Sequence, residues 1–267
     1  MTPEELRTRV ASTLWYHSID LGNGLTTPGV SENNLLASEL PDFSGRSVLD
    51  VGAWDGRYSF LAEQGGASRV VALDHYAWCL DFGARQTYWE ECRQHGKLPD
   101  LGRDLADFWR PEGPGRQGFD IAHEALGSKV DPVMGDFMTM DLDTLGGPFD
   151  VVLMLGVLYH LKEPLTALER LRRVTSGVLV VETEAVRIEG YDDAGLLLFV
   201  PGDAWGADFT DWFITTETGL HGICRAAGFE RTVTKRSHSF DNLRRPWRVP
   251  GLVPGIRPYR IVVHAFP

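Results

Sequence analysis

LDVGAWDG, residues 49–56, overlaps the apolar run SVLDV (47–51) and leads into a helical pattern from about Arg57 to Gln64. A buried strand, a glycine-bearing turn and a helix in immediate succession open a parallel βαβ unit. Working outward, RVVALD (69–74) reads as a second strand ending in an acid. FDVVLML (149–155) and GVLVVE (177–182) are two more, each too continuously apolar for a sheet edge. A helix over 164–174 begins at a proline, where the missing N–H costs nothing. Another is expected from about Thr216 to Ala227, with Gly228 as its stop. ERTVTK (230–235) and YRIVVHA (259–265) have no helical pattern between them, which predicts a terminal antiparallel pair.

The turn carries the chemistry. Gly52 lets the backbone bend sharply and approach a ligand, and the following helix offers free N–H groups at its start. Asp50, Ala53 and Trp54 flank it. Where a dinucleotide fingerprint has its later glycines, this chain has Trp54 and Asp55, which disfavours a pyrophosphate. An acidic, partly aromatic loop suits a ligand bearing an ammonium and a sulfonium, and S-adenosylmethionine is such a ligand. Asp74 stands where a carboxylate can accept from both ribose hydroxyls, with His75 beside it. Asp136 and Phe137, after a short third strand, are placed to take the adenine amino group and pack on the base. The three acids lie at the carboxyl ends of parallel strands, where open α/β sheets bind ligands.

About sixty residues separate Asp74 from Asp136, more than one helix and one strand require. Residues 76–115, with Trp78, Tyr88, Trp89, Phe108 and Trp109, are read as a helical insertion, either a lid or substrate wall, or a packed helix pair. Residues 1–45 form an N-terminal cap, and 1–267 one domain.

WYHSIDLGNGLTTPG (15–29), LDVGAWDG (49–56), VALD (71–74), LMLGVLYHLKEPL (153–165) and VPGD (200–203) resemble a class I methyltransferase family. Its best-known relative carboxymethylates the wobble uridine of bacterial tRNA, while many actinobacterial members are linked to small molecules. The resemblance implies a Rossmann-like class I methyltransferase sheet with a terminal antiparallel strand pair, and cofactor contacts from Gly52, Asp74, Asp136 and the backbone near Leu155. It also implies that Tyr159 and a C-terminal arginine, Arg244 or Arg245 in RRPW, face the carboxylate of a carboxylated cofactor. A lysine of the tRNA enzyme has no counterpart here, which favours plain methyl transfer; the 76–115 insertion departs from the tRNA enzyme too.

Methyl transfer to a hydroxyl gains from a base near neutrality. His160, just after a central strand, is a candidate base or substrate anchor; helix capping near Glu163 is the alternative. His17, on a segment expected to fold over the cofactor, is a second candidate, and Tyr159 the third catalytic candidate. Glu182, Glu184, Asp203, Asp208 and Asp211 lack a tight ligand spacing, so no metal is expected. Trp205, Phe209, Trp212 and Phe213 line an acceptor pocket or pack in the core.

The net charge is −11, yet residues 231–260 hold eight basic side chains against Asp241 alone. An acidic body is a poor general surface for nucleic acid. A polar small molecule is therefore the expected acceptor, with tRNA or a non-catalytic cofactor-binding role as rivals. The three cysteines fit no disulfide framework, and neither a spanning apolar run nor a signal sequence is visible. A cytoplasmic setting is expected.

Overall fold

A computed structural model describes residues 1–31, 34–200, 208–237 and 255–267. The chain divides into two compact units: Met1–Leu36, Asp42–His95 and Gly102–Asp141 in the first; Ala37–Pro41, Gly96–Leu101 and Leu142–Pro267 in the second.

The first unit opens with helix α1 (Pro3–Ala11), whose first turn is closed by reciprocal hydrogen bonds between Thr2 and Glu5. Its strands β1 (Ser47–Val51), β2 (Arg69–Asp74) and β3 (Asp131–Met134) are parallel. Val51 pairs with Leu73 and Asp74 with Met134. Side chains on both faces of β1 and β2 are buried, as their apolar sequences require. Helix α2 (Arg57–Gln64) crosses between β1 and β2, with the bounds its sequence predicts.

Residues 76–116 carry α3 (Tyr76–Cys79), α4 (Phe82–Gln94), a π-helical turn at Asp104–Phe108 and a 3-10 turn at Pro114–Arg116, joined by irregular stretches. Asp81 caps α4, its carboxylate accepting from Ala84 N–H at 3.0 Å. Arg110 N–H to Cys79 C=O at 2.7 Å and Asp81 N–H to Phe108 C=O at 2.9 Å sew the segment together. Trp78, Trp89 and Phe108 are buried, so three of the five aromatic residues fill core space. Helix α5 (Gln117–Leu126) follows, with Phe119 against Trp78 and Phe60 at centroid distances of 5.1 and 5.2 Å.

In the second unit β4 (Phe149–Leu155) and β5 (Thr175–Ile188) are parallel, linked by α6 (Pro164–Val174). β5 is longer than the predicted 177–182. It continues through TEAVRI (183–188) and pairs antiparallel with β9 (Ile256–Phe266), from Leu179 against Ala265 to Ile188 against Ile256. β8 (Arg231–Arg236) pairs antiparallel with β9, the expected terminal pair. β6 (Leu197–Phe199) and β7 (Phe213–Thr215), three residues each, carry no readable period. Helix α7 (Glu217–Ala226) is capped by the Thr216 hydroxyl, which accepts from Gly219 N–H at 3.1 Å. Among the described residues no helix is long and apolar enough to cross a membrane.

Candidate functional site

The turn after β1 is held by its neighbour strand. Gly52 has φ +78°, and the N–H groups of Gly52 and Ala53 donate to Leu73 C=O at 2.8 and 3.3 Å. Trp54 lies in the left-handed region at φ +48°, a costly conformation for a large side chain. Four contacts hold it there. Its N–H donates to Asp74 Oδ2 at 2.9 Å, and its carbonyl accepts from Trp78 Nε1 at 2.6 Å. Its indole lies nearly parallel to Tyr16 and Phe82, at centroid distances of 4.3 and 5.2 Å. Gly56, left-handed at φ +82°, precedes helix α2 without a side-chain cap.

Asp74 is buried, and Oδ1 accepts from Ala77 N–H at 3.0 Å. The backbone amides of His75 and Trp78 also hydrogen-bond to it. Burial pushes its carboxyl up to about 6 despite those amides. Asp50 is likewise raised to about 6 by burial, while Ser59 Oγ donates to it at 2.6 Å. His75 packs on Trp109 at 4.4 Å, and burial lowers its pKa against the opposing pull of Asp136. Asp136 closes the turn after β3: Oδ1 accepts from Met138 N–H at 2.9 Å and Oδ2 from Thr139 Oγ1 at 3.1 Å, with Phe137 buried alongside.

Asp55 differs from its sequence reading. Instead of lending charge to a ligand loop, it turns inward and grips the N-terminal segment. Oδ2 accepts from the N–H groups of Tyr16 and His17 at 3.0 and 2.7 Å, and Oδ1 lies 2.5 Å from His17 Nδ1. Arg57 adds a hydrogen bond to Ser18 C=O. The segment also closes on itself, since a Cβ on Gly29 would lie 2.0 Å from the His17 carbonyl carbon. His17 thus has its Nδ1 edge committed to Asp55.

In the second unit Leu155 ends β4, and Gly156, at φ +72°, donates to Glu182 C=O at 2.9 Å. A 3-10 turn, Leu158–His160, follows. Tyr159 is buried with its hydroxyl 3.3 Å from Arg260 Nη1. Sequence reasoning missed Arg260; the alternatives Arg244 and Arg245 lie outside the described residues, as do Asp203 and Trp205. The guanidinium is clasped by Glu182 in two hydrogen bonds of 2.5 and 2.6 Å, and touches Glu184 Oε1 at 3.2 Å. Two buried carboxylates outnumber one cation. Glu182 and Glu184, two apart on a strand, share a face and signal a common partner; β9 pairing identifies it.

His160 does not cap α6, which begins at Glu163 with no side-chain cap. Its Nδ1 lies 3.1 Å from Thr210 Oγ1, 3.3 Å from Thr210 C=O and 3.2 Å from Asp211 Oδ1. Burial lowers its pKa, but the contact with Asp211 and the charges of Asp208 and Asp211 outweigh that and raise it. Phe209 is buried, and Lys162 Nζ rests 4.7 Å above the Trp212 ring.

A Rossmann-like α/β fold with a glycine turn and acids at its strand ends defines a nucleoside-binding class. Residues 31–234 match the family described as methyltransferase domain, and the chain belongs to that family. The tRNA U34 carboxymethyltransferase of Ectopseudomonas mendocina is 30% identical over 208 residues, 76% of this chain and 51% of that protein. The enzyme of the same name from Campylobacter lari is 23% identical over 215 residues, 79% and 60% respectively. The chain thus spans about half the length of the first curated relatives it matches. Among solved structures, the N-terminal domain of EvdMO1 with SAH bound shares the fold at TM-score 0.62 and 19% identity, covering 100% of this chain and 97% of that one.

Proposed function

We propose that this protein methylates a hydroxyl of a polar small molecule, using S-adenosylmethionine. When bound, that cofactor supplies an electrophilic methyl group on a sulfonium. Gly52, Ala53 and Trp54 give it a backbone cradle, and Asp74 at the end of β2 accepts from its ribose hydroxyls. Asp136, Phe137 and His75 flank the base, and Asp50 supports the turn from beneath. In the second unit Tyr159 bounds the acceptor beside His160, and in the first His17 walls the turn through Asp55. His160, held by Thr210 and Asp211, is the group at which the acceptor hydroxyl is activated.

The observation that carries this reading is the Gly52–Trp54 turn locked to Asp74, a strained backbone maintained by a buried carboxylate at the carboxyl end of a parallel strand. Plain methyl transfer is supported by the state of Arg260, whose charge Glu182 and Glu184 more than offset. A small acceptor is supported by Arg236, which is spent on Glu39 at 2.5 Å, and by Arg231, which lies over Phe266 at 3.7 Å. Incubation with methyl-labelled S-adenosylmethionine, total tRNA and a panel of sugars and hydroxylated metabolites tests it. Label in the small-molecule fraction is the expected outcome; efficient label in tRNA overturns the acceptor class.

A further inference from the structure

His160, Asp208 and Asp211 each offer one donor atom, and these atoms lie within 4.8 Å of one another. All three belong to the second unit. Asp211 is 4% exposed, and its Oδ1 is buried without a hydrogen bond. The facing nitrogen, His160 Nδ1, lies 3.2 Å from it. That nitrogen already faces two oxygens of Thr210, at 3.1 and 3.3 Å. The Thr210 hydroxyl proton is directed to Asp208 Oδ1 at 2.5 Å. One imidazole edge therefore meets three oxygens with at most one proton to share, and a buried carboxylate oxygen is left over. Burying such an oxygen unpaired costs free energy that a cation would recover.

We propose that His160, Asp208 and Asp211 bind a divalent cation of the Mn²⁺ or Zn²⁺ type. One imidazole with two carboxylates suits these ions better than Ca²⁺ or Mg²⁺, which prefer all-oxygen sets. Neighbouring ligands about 2.1 Å from a common ion lie about 3 Å apart, close to the 3.2 Å between Asp211 and His160. The backbone carrying these groups is tied down by Trp212 N–H to Tyr159 C=O at 2.8 Å. Three protein ligands leave coordination positions open. On the proposed methyl-transfer reading, two of these take adjacent oxygens of the acceptor, a vicinal diol or hydroxy-carbonyl. Coordination releases the hydroxyl proton to solvent; the oxygen lone pair then forms the C–O bond as the C–S bond breaks to a neutral thioether. This assignment replaces the metal-free expectation from sequence.

The test uses the whole chain, stripped with chelator, and Mn²⁺ alone as probe. Calorimetry should find one ion per chain, and spin-echo spectroscopy should detect an imidazole nitrogen coupled to it. Asp208→Asn and His160→Ala should each weaken binding at least tenfold, with S-adenosylhomocysteine affinity and thermal unfolding unchanged. Asp192→Asn, which removes the exposed partner of Arg187, should bind Mn²⁺ as the parent does. A folded parent that takes up neither Mn²⁺ nor Zn²⁺ at millimolar concentration overturns the proposal, as does binding equally tight in both site variants. Absent heat with S-adenosylhomocysteine would instead overturn the methyl-transfer reading, so the two failures are told apart.

Discussion

Asp74 and Asp50 are buried acids whose carboxyls both stand near 6, so each is held ionised against its environment at neutral pH. Their unfolded value is 3.8, and the folded state therefore binds protons more tightly. Such groups favour folding when protonated, and that advantage is lost as pH rises from about 4 through 6. Asp50→Asn should accordingly raise the melting temperature of the free protein at pH 8 and lose that advantage below pH 4.5, with a difference on the order of 3 kcal/mol between the two limits. A gain independent of pH would refute the burial argument. Asp74→Ala should lower S-adenosylhomocysteine affinity at least about tenfold in calorimetry, the worth of hydrogen bonds to a charged group. His160→Ala should leave that affinity intact while kcat falls about a hundredfold or more.

At the scale of elements, Asp55 and the 15–19 segment behave as one piece. Asp55→Ala removes three acceptor contacts and should speed hydrogen exchange at the Tyr16 and His17 amides by at least about tenfold, with β1 and β2 amides unchanged. On β9, Arg260→Ala leaves Glu182 and Glu184 buried without their cation. Denaturant unfolding should register a loss of about 3–5 kcal/mol. Replacing Glu182 by Gln in the same chain should recover part of it. Elements bounded by strong punctuation were legible in the sequence. α2 and α6 have the bounds their glycine and proline neighbours predict, and β1, β2 and β4 are short apolar runs. Strands β6 and β7 were not, because three residues carry no period. The extensions of β5 and β9 were hidden because Thr183, Glu184, Arg187 and Arg257 interrupt the apolar runs there, and pairing between the two strands accommodates them.

For the molecule as a whole, the sequence conveyed the fold class and the glycine-turn acids, but not the partners of its charged residues. Arg260 meets Glu182 across 78 positions and His17 meets Asp55 across 38. Local pattern is silent at such separations; only strand register or a folded loop brings them together. The same limit hid Asp208 and Asp211 from His160, since a histidine 48 residues earlier shows no ligand spacing. The chain's charge of −11 bears on its partners. Filter binding with total tRNA should give no retention at physiological salt, and any retention at low salt should vanish steeply as salt is added.

Because one carboxylate serves both the glycine turn and the segment that lies against it, neither stretch is free to drift alone. Among relatives, position 17 and position 55 should vary as a couple: a chain that abandons the acid should have abandoned the imidazole as well, and a lineage keeping one without the other should carry a substitute donor nearby.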